Sequence, residues 1–269
     1  MIKEQEQLIK ETSRIVEIFK ASEGEIRPHF IVTGPSGSGK SHTIQQLSEK
    51  FELEFIEINA AQLTKEGTSG NSLSKALSPL IQKQGNLTIC FVDEFDKLFI
   101  SGNSNSALAH ESTNGVQNEF LKVLEANEAS VFGDYGKYVN TSVKNVLFIF
   151  AGAFNGEEDI TIDRLRDFGV KTEFLGRVGL VYNAEKVSLE SLLELVDNSA
   201  LLCKYLALFP TVQKDEVTSA VKAHIKANYE QNTLGIRVIN SLITQYFIKG
   251  GKLPSKEAKQ IMFQKTLSL

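Results

Sequence analysis

Cysteine and histidine are scarce in this chain. Its two cysteines, Cys90 and Cys203, stand far apart, and four scattered histidines add no ligand spacing to them. That excludes a zinc finger or ribbon. Two thiols so separated read as buried and free, in a protein of the reducing cytoplasm. No apolar run approaches the ~18 residues that a membrane span needs. The N-terminus, Met1-Ile2-Lys3-Glu4-Gln5-Glu6-Gln7, lacks the apolar core of a signal peptide. Arginine is rare too: Arg14, Arg27, Arg164, Arg166, Arg177 and Arg237 are the whole supply. Lysine provides most of the positive charge, so each arginine is a candidate fork for phosphate or carboxylate. A net charge of −4 argues weakly against a dedicated nucleic-acid binder. The charge is uneven, however. From Ser219 to Leu269 eight Lys/Arg face two acids, +6 against −10 for the rest. This segment could meet nucleic acid or an acidic partner, or be a solvated lysine-rich helix face.

What is present begins with Gly34-Pro35-Ser36-Gly37-Ser38-Gly39-Lys40-Ser41, which fits G-x-x-x-x-G-K-[ST]. At ordinary glycine usage a chance match in a chain this long arises about once in a hundred sequences. The apolar run His29 to Thr33 precedes it, and the helix-like His42-Thr43-Ile44-Gln45-Gln46-Leu47 follows. Glycines let the backbone turn several N–H groups toward one point, and the helix start adds its positive end. Gly34 to His42 therefore read as the binding residues for ATP phosphates. Lys40 reaches the β/γ-phosphates, and the Ser41 hydroxyl is a ligand for Mg²⁺.

The 269 residues have room for a large and a small domain. Residues 2–20 read as an amphipathic helix. Strands are expected at Phe30–Thr33, Glu54–Ile58, Leu87–Val92, Asn145–Phe150 and Gly179–Tyr182. Ala60 to Lys83 reads as a helical stretch interrupted at Gly67-Thr68-Ser69-Gly70. Ser101 to Thr113 reads as a polar loop, Val116 to Glu125 as a helix, and Gly133-Asp134-Tyr135-Gly136 as a hairpin turn. The rest is helical. Strands alternating with helices predict an α/β fold, a five-stranded parallel sheet followed by a small helical domain. The expected division is 1–184 and 185–269.

The apolar strand before residue 93 ends in Asp93-Glu94. Downstream of a phosphate loop, such a pair suits ATP hydrolysis. Asp93 holds Mg²⁺ largely through water, and Glu94 is the general base. Arg177, just before the fifth strand, and Arg237, in Gly235-Ile236-Arg237, are the arginines placed to approach a γ-phosphate from outside the loop, with an ordinary salt bridge as the alternative for each.

These residues resemble the ClpX-type AAA+ unfoldases, with HslU as a cousin. The likeness includes Gly34 to Ser41 and Val92-Asp93-Glu94-Phe95-Asp96-Lys97-Leu98. It continues through Asn114-Gly115-Val116-Gln117-Asn118-Glu119-Phe120-Leu121-Lys122-Val123-Leu124-Glu125, Leu147 to Phe154, Phe168-Gly169, Glu173-Phe174-Leu175-Gly176-Arg177 and Gly235-Ile236-Arg237. The resemblance implies a hexameric ring of this chain with nucleotide between subunits. It makes Arg177 the arginine finger for the neighbour's nucleotide and Arg237 the sensor-2 residue. It makes 128–142 the hairpin before sensor 1, and leaves Ala151 at the sensor-1 position, with Asn155 a distant candidate.

Departures from that pattern redirect the function. Where the resemblance places the family's substrate-gripping loop, Gly67-Thr68-Ser69-Gly70 offers two small hydroxyls in place of an aromatic and an aliphatic residue. No Ile/Leu-Gly-Phe tripeptide for protease docking occurs. Residues 1–25 hold no cysteine for the family's zinc-binding domain, and the adenine-enclosing motif before the first strand is not recognisable. The expected function is a stand-alone ATPase that remodels a macromolecule without a protease partner. Two alternatives stand beside it: a helicase loader or recombination ATPase on DNA-bound assemblies, and a nucleotide-gated scaffold or inhibitor with little turnover.

Overall fold

The computed structural model describes residues 3–65, 70–99, 107–133 and 136–253, with backbone alone over 107–114. The chain divides into two compact units, Lys3–Lys186 and a second beginning at Val187.

The first unit is built on a five-stranded parallel sheet in the order β2-β3-β6-β1-β7. Its strands are β1 (Phe30–Thr33), β2 (Glu54–Asn59), β3 (Thr88–Asp93), β6 (Val146–Gly152) and β7 (Leu180–Asn183). The inner strands are apolar almost throughout because helices cover both faces. Within β3, Ile89 and Phe91 point to one core while Cys90 and Val92 point to the other. The same period of two sends Leu147, Ile149 and Ala151 of β6 one way and Phe148 and Phe150 the other. One face is covered by α1 (Lys3–Ala21), through Leu8, Ile15, Val16 and Phe19, and by α2 (Lys40–Phe51), through Ile44 and Leu47. The other is covered by α4 (Ala107–Glu125), α5 (Ile162–Asp167) and α6 (Thr172–Arg177), through Val116, Phe120, Leu165 and Phe174. The edge strand β2 buries Ile56 and Ile58 and turns Glu57 outward, the alternation of a half-covered strand.

The antiparallel hairpin is formed by β4 (Glu128–Phe132) and β5 (Tyr138–Ser142), with Phe132 opposite Tyr138. Asp134 and Tyr135 of its turn lie outside the described residues.

The second unit contains, among the described residues, α7 (Leu189–Asp197), α8 (Ala200–Leu208), α9 (Lys214–Asn228), a 3₁₀ turn at Tyr229–Gln231 and α10 (Arg237–Ile248). Ser188 and Ser199 cap the first two by accepting from the backbone N–H groups of Ser191 and Leu202. Leu192, Val196, Leu202, Val217, Val221, Ile239, Leu242 and Ile243 form a core of its own.

Three local readings of the sequence are corrected. Among the described residues of the stretch from Ala60 to Lys83 there is no continuous helix but three short pieces: 3₁₀ turns at Ala60–Gln62 and Ser78–Ile81, and α3 (Leu73–Ala76). Leu73, Leu77 and Leu80 have helical spacing and are buried, but Pro79 stops the ladder of hydrogen bonds and serial turns use the same spacing. The polar loop expected to end at Thr113 ends earlier, because Ala107 to Thr113 are the first turns of α4; 100–106 lie outside the described residues. Cys203 is exposed, since the helix turns it about 100° away from its buried neighbour Leu202. Cys90 is buried as expected, and burial pushes its thiol pKa up.

Candidate functional site

Parallel strands bring their C-terminal ends to one edge of the sheet, where the loops can share a ligand. At the end of β1 the chain turns on Gly34, Gly37 and Gly39, all with positive φ (134°, 73° and 90°). Two of these glycines are enforced by neighbours. A Cβ on Gly34 would lie 2.3 Å from the Ala184 carbonyl oxygen, and one on Gly39 would lie 1.9 Å from Nε2 of Gln5. Gln5, on α1, donates that amide to the Ser38 carbonyl at 2.8 Å. The loop is thus packed between β7 and the first helix.

Gly39 is the N-cap of α2, with no side-chain cap and no acid in the first turn. The first amides of the helix, from Lys40 to His42, have no intrahelical acceptor. They form a positive N-terminus held open for an anion. Lys40 is buried, and its ammonium donates to the Gly34 carbonyl at 2.7 Å and to that of Pro35 at 3.0 Å. The hydroxyls of Ser38 and Thr43 are buried without hydrogen-bond partners among the described residues. Pro35 and Gly37 are half-buried; Ser36 and His42 are exposed. A buried ammonium, open helix amides and an orphaned hydroxyl in one tight loop fit a phosphate group.

Ser41 faces the end of β3. Its Oγ lies 3.2 Å from Oδ2 of Asp93, while Oδ1 of Asp93 accepts from the Glu94 backbone at 2.8 Å. These are oxygen donors of the kind that suit Mg²⁺. Glu94 is exposed and left-handed at φ 55°, so the chain turns sharply there and Phe95 drops into the core. Glu57 is an acid the sequence reading missed. Partial burial first, and the charge of Asp93 second, hold its pKa above the usual carboxylate range. Its signal was the outward register of β2 beside β3.

Asn183 at the end of β7 was also missed. Its Oδ1 accepts from the Thr33 hydroxyl at 2.6 Å and from Ile160 N at 2.8 Å, and its Nδ2 donates to the Ile160 carbonyl at 3.2 Å. It ties β1 to the loop after β6. Ala151 is buried within β6, and the loop that follows carries Asn155, exposed and left-handed at φ 61°. A cleft of about 370 Å³ next to Gly34 is lined by Glu157, Asn183 and Lys186 among others. A larger one of about 510 Å³, between α3, α4 and the hairpin, carries none of the phosphate-loop residues.

The loop and the Asp93-Glu94 turn are therefore gathered, while the bonds of Arg177 run to another residue. Arg177 ends α6 and bonds to Glu125 at the end of α4, with Nε at 2.9 Å and Nη2 at 2.5 Å from the same oxygen Oε1. Arg237 belongs to the second unit, exposed at the first residue of α10 just after the left-handed Gly235. The other arginines have local roles: Arg164 binds Glu157 and Asp167, Arg166 binds Asp163, Arg14 binds Glu17, and Arg27 donates to the Val143 carbonyl. Gly67, Thr68 and Ser69 lie outside the described residues, but the base of their loop is closed by a bridge between Leu63 and Asn71.

Comparison with known proteins identifies the family. Residues 30–173, more than half of the chain, match the family model "ATPase family associated with various cellular activities (AAA)". The chain is also similar to the ATP-dependent Clp protease ATP-binding subunit ClpX of Treponema denticola, 30% identical over 183 residues. The alignment covers 64% of this chain and 42% of that protein, so the chain spans less than half the relative's length.

Proposed function

The chain belongs to the AAA family of ATPases, and from that premise we propose that it binds Mg²⁺-ATP at Gly34 to His42 and hydrolyses it with Glu94 as general base. The observation that carries this is the closure of Ser41 onto Asp93 at 3.2 Å, which joins the phosphate loop to the end of β3. ATP brings the phosphoanhydride bond, and the magnesium ion lowers the negative charge around it. Ser41 and Asp93 are the residues to hold that ion. Lys40 and the first amides of α2 neutralise and orient the phosphates. Glu94 takes the proton of the attacking water onto its carboxylate. Arg177 comes to the γ-phosphate from a neighbouring copy of the chain, and Arg237 reports the nucleotide state to the helical unit. The resemblance to ClpX-type proteins supports a hexameric ring of identical subunits.

The ATPase is read as a remodeller of a macromolecule that works without a protease. Two features support this. The Ile/Leu-Gly-Phe tripeptide is absent from the sequence, and the span between β6 and α6 is short, occupied by a 3₁₀ turn, α5 and the turn at Gly169. The test is Glu94→Gln. Turnover should fall by about 10² or more while nucleotide affinity persists. Unchanged turnover sinks the assignment of the base.

A further inference from the structure

Arg177 and Glu125 are the last residues of two helices, and the ends of those helices meet at this pair. Both Arg177 donors, Nε and Nη2, converge on the single oxygen Oε1 of Glu125. A guanidinium has five N–H donors, so the contact holds one edge and leaves the other edge unused by it. The pair is about half exposed on each side, 53% for Arg177 and 50% for Glu125. An ion pair in that setting stabilises a fold little. What it does provide is a fixed direction for a long side chain with several rotatable bonds.

The same helix fixes the other end of α6. Gln117 is buried; its Oε1 accepts from Lys171 N at 3.2 Å and its Nε2 donates to the Gly169 carbonyl at 3.4 Å. Asn118 accepts from the Lys171 ammonium at 2.7 Å. Helix α4 therefore holds α6 at its start through Gln117 and Asn118, and at its end through Glu125.

We propose that Glu125 is a positioning residue for Arg177: it holds one edge of the guanidinium so that the other edge is presented to the nucleotide of a neighbouring copy. This rests on the reading of Arg177 as a residue acting in trans. Glu125 itself touches no nucleotide. Its loss lets the arginine side chain sample many rotamers, and the ordering cost then falls on the catalysed step.

The experiment mixes two silent chains. One carries Glu94→Gln and keeps Arg177, so it donates the arginine but has no base. The other carries Arg177→Ala and keeps Glu94, so it has the base but no arginine to give. Turnover in the mixture above the sum of the two alone reports an arginine supplied in trans. Glu125→Ala is then placed in one chain or the other. In the donating chain it should lower the restored turnover about five- to tenfold at unchanged KM for ATP. In the accepting chain it should change nothing, because no Arg177 is there to position. Glu125→Gln, which keeps an oxygen acceptor, should recover part of the loss, and it serves as the variant should the alanine chain fail to fold. An equal loss from both chains, or none from the donor, overturns the role of Glu125. No restored turnover in the parent mixture overturns the trans reading itself.

Discussion

A single carboxamide decides how tightly the phosphate loop is held. Gln5 lies against Gly39 and bonds to the Ser38 carbonyl, so the loop's conformation depends on a helix that ends before β1. Gly39→Ala should destabilise twice over. Alanine at φ 90° costs about 1–2 kcal/mol in the backbone, and its Cβ displaces Gln5. In a Gln5→Ala background only the backbone cost remains, so the two substitutions should be non-additive in urea unfolding. Additive losses would mean that the amide does not press on the loop. His29 is a second residue with a sharp expectation. It is buried, and its Nδ1 accepts from Phe148 N at 3.1 Å. Burial, and then the charge of Arg27, push its pKa down to about 3. The folded pKa lies below the ordinary ~6.5, so the unfolded chain binds the proton first. The full contribution is present above pH 6.5 and is lost as pH falls toward 3, at about 1.4 kcal/mol per pH unit. Between pH 7 and pH 5, unfolding midpoints of the wild type should fall more steeply than those of His29→Gln. Parallel slopes would refute this.

At the scale of elements, the turn after β3 and helix α6 share one aromatic cluster. Phe95 directly follows Glu94. Its ring lies 4.7 Å from that of Phe150 and stacks on Phe174 at 5.1 Å, three residues before Arg177. Phe174→Ala should cost about 3–5 kcal/mol and Phe174→Leu less, read from urea midpoints. A loss below ~1 kcal/mol would show that α6 does not depend on this packing. The elements themselves were legible in uneven measure. Strands β1, β3 and β6 announce themselves by apolar runs, and the glycines of the phosphate loop by their spacing. Residues 60–83 misled because a leucine spacing of four and three serves serial turns as well as a helix. The long-range ties were not legible at all. Glu125 and Arg177 are 52 positions apart, and Thr33 and Asn183 are 150 apart. Neither pair carries a periodic signal; each meets only because the parallel sheet returns the chain to the same edge or face.

For the whole molecule, the proposal implies that one chain supplies only part of the site. Lys40, Ser41, Asp93 and Glu94 meet at the sheet's end, whereas Arg177, among the described residues, bonds only to Glu125. If hydrolysis needs an arginine from a second copy, turnover per chain depends on how many chains have a neighbour, and that is set by mass action. Specific activity should therefore climb from nanomolar to micromolar protein and then level off. An arginine acting on a transferring phosphoryl group contributes a factor of about 10³ or more, so the dilute and concentrated limits should differ by a large margin. Arg177→Ala should stay near the dilute limit at every concentration, even where sedimentation shows it assembled. That combination separates a missing neighbour from a missing side chain. Constant turnover per chain across the range would mean that each subunit completes its site alone, and the arginine would then have to be sought within the chain, at Arg237 first.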